Sequence, residues 1–306
     1  MNENTHFIGI DWGTTNARAL LFNREGALIE ERDEPFGVRN IAAGGYRAAF
    51  ERLTAGWRTP HDPIPAILSG MIGSRHGWRE APFVPCPAAL TELHRSLVPA
   101  PEVERAFIVP GVCLTGARCD VMRGEELQLL GLGEAAKAFD CVCIPGTHSK
   151  WIRADWPQVR EFHTAMSGEL FAAIAEHTLF AKLIPPTTSP RLLDRAFTDG
   201  LERSASSHGL PEALFAIRAD LLLDHVKGAD VADLISGLLI GTEIRHALAR
   251  TGPKPRVALL ASAGLEERYL AALRFFGVDA VAFDVRQTTA RGFAALFCAL
   301  DEIGRR

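Results

Sequence analysis

Apolar and polar positions alternate along three successive stretches at the start of the chain. "FIGID" leads into a polar turn, "ARALLF" into the turn "NREG", and "ALIEERDE" follows. Alternation of period two, broken by turn residues, predicts a meander of hairpin-linked strands. A helix is expected over Gly45 to Trp57, then short strands at "PAILSG" and "RAFIVPGV". Between those strands, residues 70–101 are rich in Pro, Gly and aromatics and read as an ordered functional loop region. Asp120 to Lys137 reads as a helix. The opening pattern then returns. "FDCVCIPGTHSKWIRAD" is again strand, turn, strand, and "VREFHT" is a further strand. A mainly helical stretch runs from Ser167 to Arg250, in which "LISGLLIGTEI" has the apolarity of a buried helix. "RVALLAS", "GLEERYLAALRFFG", "VDAVAFD" and "TARGFAALFCAL" close the chain as strand, helix, strand, helix. The return of the strand-turn-strand unit reads as an internal duplication, one copy per domain.

The two turns carry unusual chemistry. A turn that only joins strands favours Asn-Gly or Asp-Gly. The first turn instead follows Asp11 and holds Gly13, Thr14 and Thr15. Gly13 lets a ligand come close to the backbone, successive N–H groups form an anion-binding concavity, and the two hydroxyls add donors. Beside phosphates, Asp11 suits a hydrated magnesium ion, which prefers carboxylate oxygen and keeps its waters. A plain surface hairpin is the alternative. The second turn repeats the chemistry with Gly146, Thr147, His148, Ser149 and Lys150. Two such hairpins in one chain favour a grip on nucleotide phosphates. His148 reads as a hydrogen-bonding loop residue, because no His or Cys stands at zinc spacing from it.

Composition narrows the class. The 306 residues suggest about two domains, and 47% hydrophobic residues are enough for ordinary cores. With 33 basic and 37 acidic side chains the net charge is -4, so bulk charge attracts neither nucleic acid nor an anionic membrane. "MNENTH" lacks the basic start and long apolar run of a signal peptide, and no apolar stretch approaches the roughly 20 residues of a membrane span. The six cysteines form no CxxC pair, and Cys141 and Cys143 alternate within "CVCI" as buried strand thiols. A reduced, cytoplasmic α/β protein is the expectation. There is no GxxxxGK[ST]. Gly131 to Ala136 formally matches GxGxxA, yet it follows a helix rather than a strand, so the dinucleotide reading fails.

The order of these motifs resembles the sugar kinase, Hsp70 and actin superfamily. "SGMIGSRHGWREAPFVPCPA", "DVMRGEELQLLG", "IPGTHSKW" and "MSGELF" are similar to stretches of the 2-dehydro-3-deoxygalactonokinase family. The resemblance covers nearly the whole chain. It implies two ribonuclease H-like (actin-like ATPase) α/β domains with a central nucleotide cleft. The expected first domain is 1–137, with helix 290–306 packing back on it, and the second is 138–289. The resemblance also implies ATP and Mg2+, and phosphorylation of the 6-hydroxyl of 2-dehydro-3-deoxy-D-galactonate. Ala263 and Gly264, in "VALLASAGLEERYLAAL", would hold adenosine.

Phosphoryl transfer to a hydroxyl needs a carboxylate to accept the proton. In related kinases that acid opens the helix before the second phosphate hairpin, which makes Asp120, Glu125 and Glu126 the candidates. Asp120 is preferred over Glu125, on a helical face shared with Gly124, Leu127 and Gly131, although it also stands where an N-cap would. For the sugar acid, Arg75 is a candidate bidentate partner of the carboxylate. Ser69, Gly70 and Ser74 are candidates for its hydroxyls, and Trp78 for an apolar wall or a core anchor. Arg18 is placed to face the transferred phosphoryl group or solvent. Ser167 reads as an N-cap. The expected partner is a small-molecule sugar acid, with no nucleic acid and no membrane; a homodimer is left open. Two alternatives remain: a phosphohydrolase of the same superfamily, and a non-catalytic sugar or nucleotide sensor.

Overall fold

The structure, a computed structural model, describes residues 5–59, 61, 63–184, 195–206, 209–252 and 254–304. Two compact units emerge. The first comprises Met1–Ala136, Ala154–Phe162 and Val285–Arg306; the second comprises Lys137–Arg153 and His163–Asp284.

In chain order the first unit begins with β1 (Thr5–Trp12), β2 (Ala17–Asn23) and β3 (Leu28–Glu34), the expected meander. Helix α1 (Tyr46–Leu53) and β4 (Ala66–Gly70) follow. The loop region contains a 3-10 turn over Met71–Gly73 and short strands β5 (Phe83–Pro85), β6 (Ala88–Ala89) and β7 (Val98–Pro99). Then come β8 (Ala106–Ile108), β9 (Gly111–Leu114), β10 (Asp120–Met122) and α2 (Glu125–Leu132). The chain continues with β11 (Cys141–Ile144), β12 (Ser149–Asp155), β13 (Gln158–Ala165), α3 (Ser167–His177), α4 (Arg195–Arg203), α5 (Leu210–Leu222) and α6 (Val231–Thr251), all in the second unit except the end of β12 and most of β13. The second unit ends with β14 (Arg256–Ala261), α7 (Ala263–Phe275) and β15 (Asp279–Asp284). Helix α8 (Val285–Gly304) belongs to the first unit and starts five residues before the expected Ala290.

The duplication is visible in the sheets. In the first unit β1 pairs antiparallel with β2 and parallel with β4, and β4 pairs parallel with β8. In the second, β11 pairs antiparallel with β12 and parallel with β14, and β14 pairs parallel with β15. The order β8-β4-β1-β2 is thus repeated as β15-β14-β11-β12.

One expected helix is corrected. Asp120 to Met122 is not helical; it lies on β10, paired antiparallel with Leu114 to Val112. Gly124, at φ 106°, breaks the chain between that strand and α2. Positive φ is cheap only for glycine, so the turn is set by this one residue. After Leu132 the expected helix continues only as a 3-10 segment, Gly133–Ala138.

Strand β1 is covered on both faces, which explains its nearly continuous apolar run. Ile8, Ile10 and Trp12 enter one core with Leu68 of β4 and Phe50 and Leu53 of α1. On the other face Phe7 stacks on Phe22 and on Phe297 of α8, each at 4.3 Å. Gly9 leaves room for Phe293, whose ring would stand 2.6 Å from a Cβ there. Fully burying such a side chain contributes about 1.5–3 kcal/mol.

Helix α8 meets α2 backbone to backbone. A Cβ on Gly131 would lie 1.7 Å from the Thr288 carbonyl oxygen, and one on Gly292 would lie 2.1 Å from that of Leu127. In the second unit Gly200 of α4 and Gly237 of α6 make a similar approach. Among the described residues no helix is long and apolar enough to cross a membrane.

Gly131→Leu therefore has to push α8 off α2. Overpacking of this kind costs about 1–3 kcal/mol or more. A clear fall in Tm in a thermal melt is expected, and an unchanged Tm would show that the two helices are not in this contact.

Candidate active site

The first hairpin is set by register. Asp11, near the end of β1, stands opposite Arg18 on β2 and Ser69 on β4. Gly13 N–H donates to Asn16 O at 2.9 Å and closes the turn. The carbonyls of Gly13, Thr14 and Thr15 accept from the N–H groups of Val38, Arg39 and Gly37 at 3.0, 3.1 and 2.6 Å. Gly37 is required there, because a Cβ would fall 2.2 Å from the Thr14 carbonyl carbon. These bonds occupy the carbonyls of the turn, and Gly13 N–H is itself committed to Asn16 O. Thr14 and Thr15 are exposed; Trp12 is buried and donates from Nε1 to Phe36 O. Arg18 donates to Asp33 at 2.7 Å. Burial pushes the Asp11 carboxyl upward in pKa, Arg18 opposes the shift, and the Glu125 charge adds to it.

Asp11 and Glu125 approach each other through two glycines. Gly70, at φ 89°, brings its backbone so close that a Cβ would lie 2.8 Å from Trp12 O and 3.4 Å from Asp11 Oδ1. Gly124 in turn packs on Gly70, with a Cβ position 3.5 Å from the Gly70 Cα. Glu125 is the first residue of α2, and its carboxylate accepts from Arg123 N–H at 2.9 Å. The structure brings Asp11, Gly70, Gly124 and Glu125 together. Asp120 lies on β10 instead, where Oδ1 accepts from Val121 N–H, so its expected N-cap setting is corrected. Glu126 is fully buried, with both carboxylate oxygens 2.8 Å from the Gly124 N–H. Burial and the neighbouring Glu125 push its pKa up to about 8.

The loop after β4 is partly committed. Ser69 is buried, and neither its Oγ nor that of Ser74 has a hydrogen-bond partner among the described residues. Arg75 is exposed and donates to Glu80 at 2.9 Å. Trp78 stacks on Tyr46 at 6.3 Å and packs against the core, so the anchor reading describes it better than a free wall.

In the second unit the hairpin between β11 and β12 rests on a buried polar network. Trp151 Nε1 and Tyr269 Oη donate to Glu243 at 2.8 and 2.9 Å, and Ser149 Oγ lies 3.0 Å from Tyr269 Oη. Burial raises the Glu243 pKa despite these donors and Ser167. Two expectations change here. The Ser149 side chain is fully buried in this network, paired with Tyr269 rather than exposed at the turn. Ser167 is the first helical residue rather than the N-cap, and it bonds Glu243. Lys150 is also buried, and its Nζ donates to His148 O at 3.1 Å. Thr147 and His148 are exposed, and His148 Nε2 meets Glu169 at 2.5 Å. Gly168 lets α3 touch the hairpin, since a Cβ would fall 2.4 Å from Gly146 O.

Above this network lies a cavity of about 750 Å³. Gly146 and Gly264 both line it, and a Cβ at either would meet nothing within 4 Å. Ala263, one residue earlier, is exposed and not among the lining residues. Apolar walls come from Phe171, Leu239, Ile240 and Leu265. A polar wall is fixed by Arg268, which donates to Asp233 at 2.5 Å and to Ser236 at 2.9 Å. An apolar cavity with a few fixed polar groups suits a nucleoside-sized ligand.

The profile of the family described as 2-keto-3-deoxy-galactonokinase matches residues 11–296. The chain belongs to that family. It is 37% identical over 294 residues to a probable 2-dehydro-3-deoxygalactonokinase of Rhizobium meliloti (strain 1021), covering 95% of this chain and 96% of the relative. It is 34% identical over 277 residues to the 2-dehydro-3-deoxygalactonokinase of Escherichia coli (strain K12), covering 90% and 92%. The crystal structure of a Sinorhizobium meliloti protein provisionally given the same name superposes with a TM-score of 0.87 at 36% identity, covering 97% of both chains.

For this kinase-family chain, the pattern of apolar positions hid several residues. Asp233, Ser236 and Glu243 lie in the helix read as plain core, and Arg268 in a helix read for its glycine. Polar residues inside an otherwise apolar helix were the available signal, since buried polar groups require partners.

The buried Glu126 has a consequence for stability. An ordinary glutamate titrates near 4.5, whereas this one titrates near 8. Between those values the folded chain holds a proton that the unfolded chain has lost, so the stabilisation present below the lower value fades as pH rises through the upper one. Tm measured against pH should fall across this window, and Glu126→Gln should flatten the fall. An identical slope in the variant would refute the assignment.

Proposed function

We propose that this chain transfers the γ-phosphoryl group of ATP to the 6-hydroxyl of 2-dehydro-3-deoxy-D-galactonate. The observation that carries the reading is the near full-length family match, from residue 11 to residue 296. The geometry supports a role for each part. Gly146 and Gly264 line the cavity of the second unit and serve ATP there, with Thr147 next to Gly146. Thr14 and Thr15 offer N–H and hydroxyl donors to phosphate, and Gly13 leaves room for its approach. Asp11 would hold magnesium; a lone, partly buried carboxylate fits a cation that keeps several waters and takes one or two carboxylates plus phosphate oxygens. When bound, that ion neutralises charge on the phosphates.

Glu125, rather than Asp120, is the proposed base. It opens α2, as the family resemblance implies for such an acid, and its charge is felt by Asp11. The sugar hydroxyl oxygen attacks the γ-phosphorus, the bond to the bridging oxygen of ADP breaks, and the hydroxyl proton passes to the Glu125 carboxylate. Arg18, opposite Asp11, adds positive charge on the phosphate side. Ser69, Gly70 and Ser74 flank the sugar acid. Use of ATP and of a soluble sugar acid is consistent with a cytoplasmic enzyme.

ADP release from magnesium-ATP, with and without the sugar acid, tests the reaction. Release that depends on the sugar acid is expected; release with no acceptor would favour the phosphohydrolase. Removal of a general base costs about 10²–10⁴ in rate. Glu125→Gln should therefore lower kcat by about that factor with the KM for ATP little changed. A larger loss in Asp120→Asn than in Glu125→Gln would return the role to Asp120.

A further inference from the structure

Among the buried polar atoms of the first unit that lack a hydrogen-bond partner among the described residues are Ser69 Oγ, Ser74 Oγ and Arg123 Nη1. They converge on one short segment. Ser69 is the next-to-last residue of β4, Ser74 follows the Met71–Gly73 turn, and Arg123 Nη1 lies 2.8 Å from where a Cβ on Gly73 would stand. The sequence offered no reason to notice Arg123.

The guanidinium of Arg123 is held in place on its other sides. Nη2 donates to Ala81 O at 2.8 Å, and the group lies over the Phe83 ring at 4.3 Å. Its backbone N–H is bonded to the Glu125 carboxylate, so the residue is fixed beside the proposed base. Burial works against its charge, while Glu126 and Glu80 favour it. Leaving a guanidinium N–H unpaired in the interior is costly, so such a donor points to a ligand that completes it. Arg75 is a weaker carboxylate partner. It is 82% exposed and already paired with Glu80. A solvated surface pair adds little to affinity.

Building on the sugar-acid kinase reading, we propose that Arg123 recognises the carboxylate of the sugar acid, and that Ser69 and Ser74 supply hydroxyls to the same substrate. One carboxylate oxygen takes Nη1 of the planar fork, in the charge-assisted geometry for which arginine is suited and lysine is not. Nη1 packs against Gly73 of the Met71–Gly73 turn, so a carboxylate that takes it has to displace that contact.

The test compares the sugar acid with its C1 amide as acceptors, for the full chain and for Arg123→Ala and Arg123→Lys. Charge-assisted bonds of this kind change affinity by about 10–100-fold. The unmodified chain should prefer the acid over the amide by about that factor in kcat/KM. Arg123→Ala should lose the preference, through KM for the acid, with KM for ATP unchanged. Arg123→Lys keeps the charge and loses the fork, so it should retain only part of the preference; it decides the matter if Arg123→Ala does not fold. A merely structural role would slow both acceptors alike and leave their ratio intact. An intact ratio in a folded variant overturns the inference while sparing the kinase reading. No phosphorylation of the acid by the unmodified chain overturns the kinase reading and this inference with it.

Discussion

Everything in the first unit depends on the register of β1. Asp11 faces Ser69 across one ladder and Arg18 across the other because Ile8 pairs with Ala66 and Leu21. A slip of one residue would turn every side chain to the opposite face. The core prevents it: Ile8, Ile10 and Trp12 fill one side and Phe7 the other. The acid near the strand end is thus held by residues that never meet a ligand. Gly70 and Gly124 then determine how closely the next two segments approach that acid. Each is a backbone position where a side chain would be strained, so the clustering of Asp11 and Glu125 follows from backbone geometry rather than from an ion pair.

The second unit solves the same problem with different material. Its hairpin is anchored from beneath by a carboxylate, Glu243, satisfied by an indole, a phenol and hydroxyls. A fully partnered buried network of this kind rigidifies its surroundings, whereas one missing donor would leave a costly orphan. The exposed tip, Thr147 and His148, rides on that base. The cavity beside it owes its openness to Gly146 and Gly264, where the lack of a side chain is the feature that matters.

Much of the fold was legible because it is written in periodicity. The two meanders, the buried helix over "LISGLLIGTEI" and the glycines of both turns needed only alternation and turn chemistry. The errors share one cause. The Asp120 segment, the Ser149 side chain and Ser167 were judged by local preference, and each was decided by a distant partner. Val121 and Met122 pair with β9, Ser149 bonds Tyr269 across 120 positions, and Ser167 bonds Glu243. Arg123 stayed hidden for the same reason: nothing within the sequence near it reveals Gly73, Ala81 or Phe83. Hydrophobic pattern reports which face is buried, not which polar atoms meet inside.

The position of α8 has a bearing on how the chain is made. The second unit lies in sequence between pieces of the first, and Phe293 and Phe297 are synthesised long after β1. Until they leave the ribosome, Gly9 and Phe7 on β1 stay uncovered. All of the strands of the second unit have emerged by then. Domains fold as units during synthesis, with the earlier one usually first. Here β1 has to wait for α8, which follows the whole second unit in sequence, so one face of its sheet lacks its apolar cover until α8 is made.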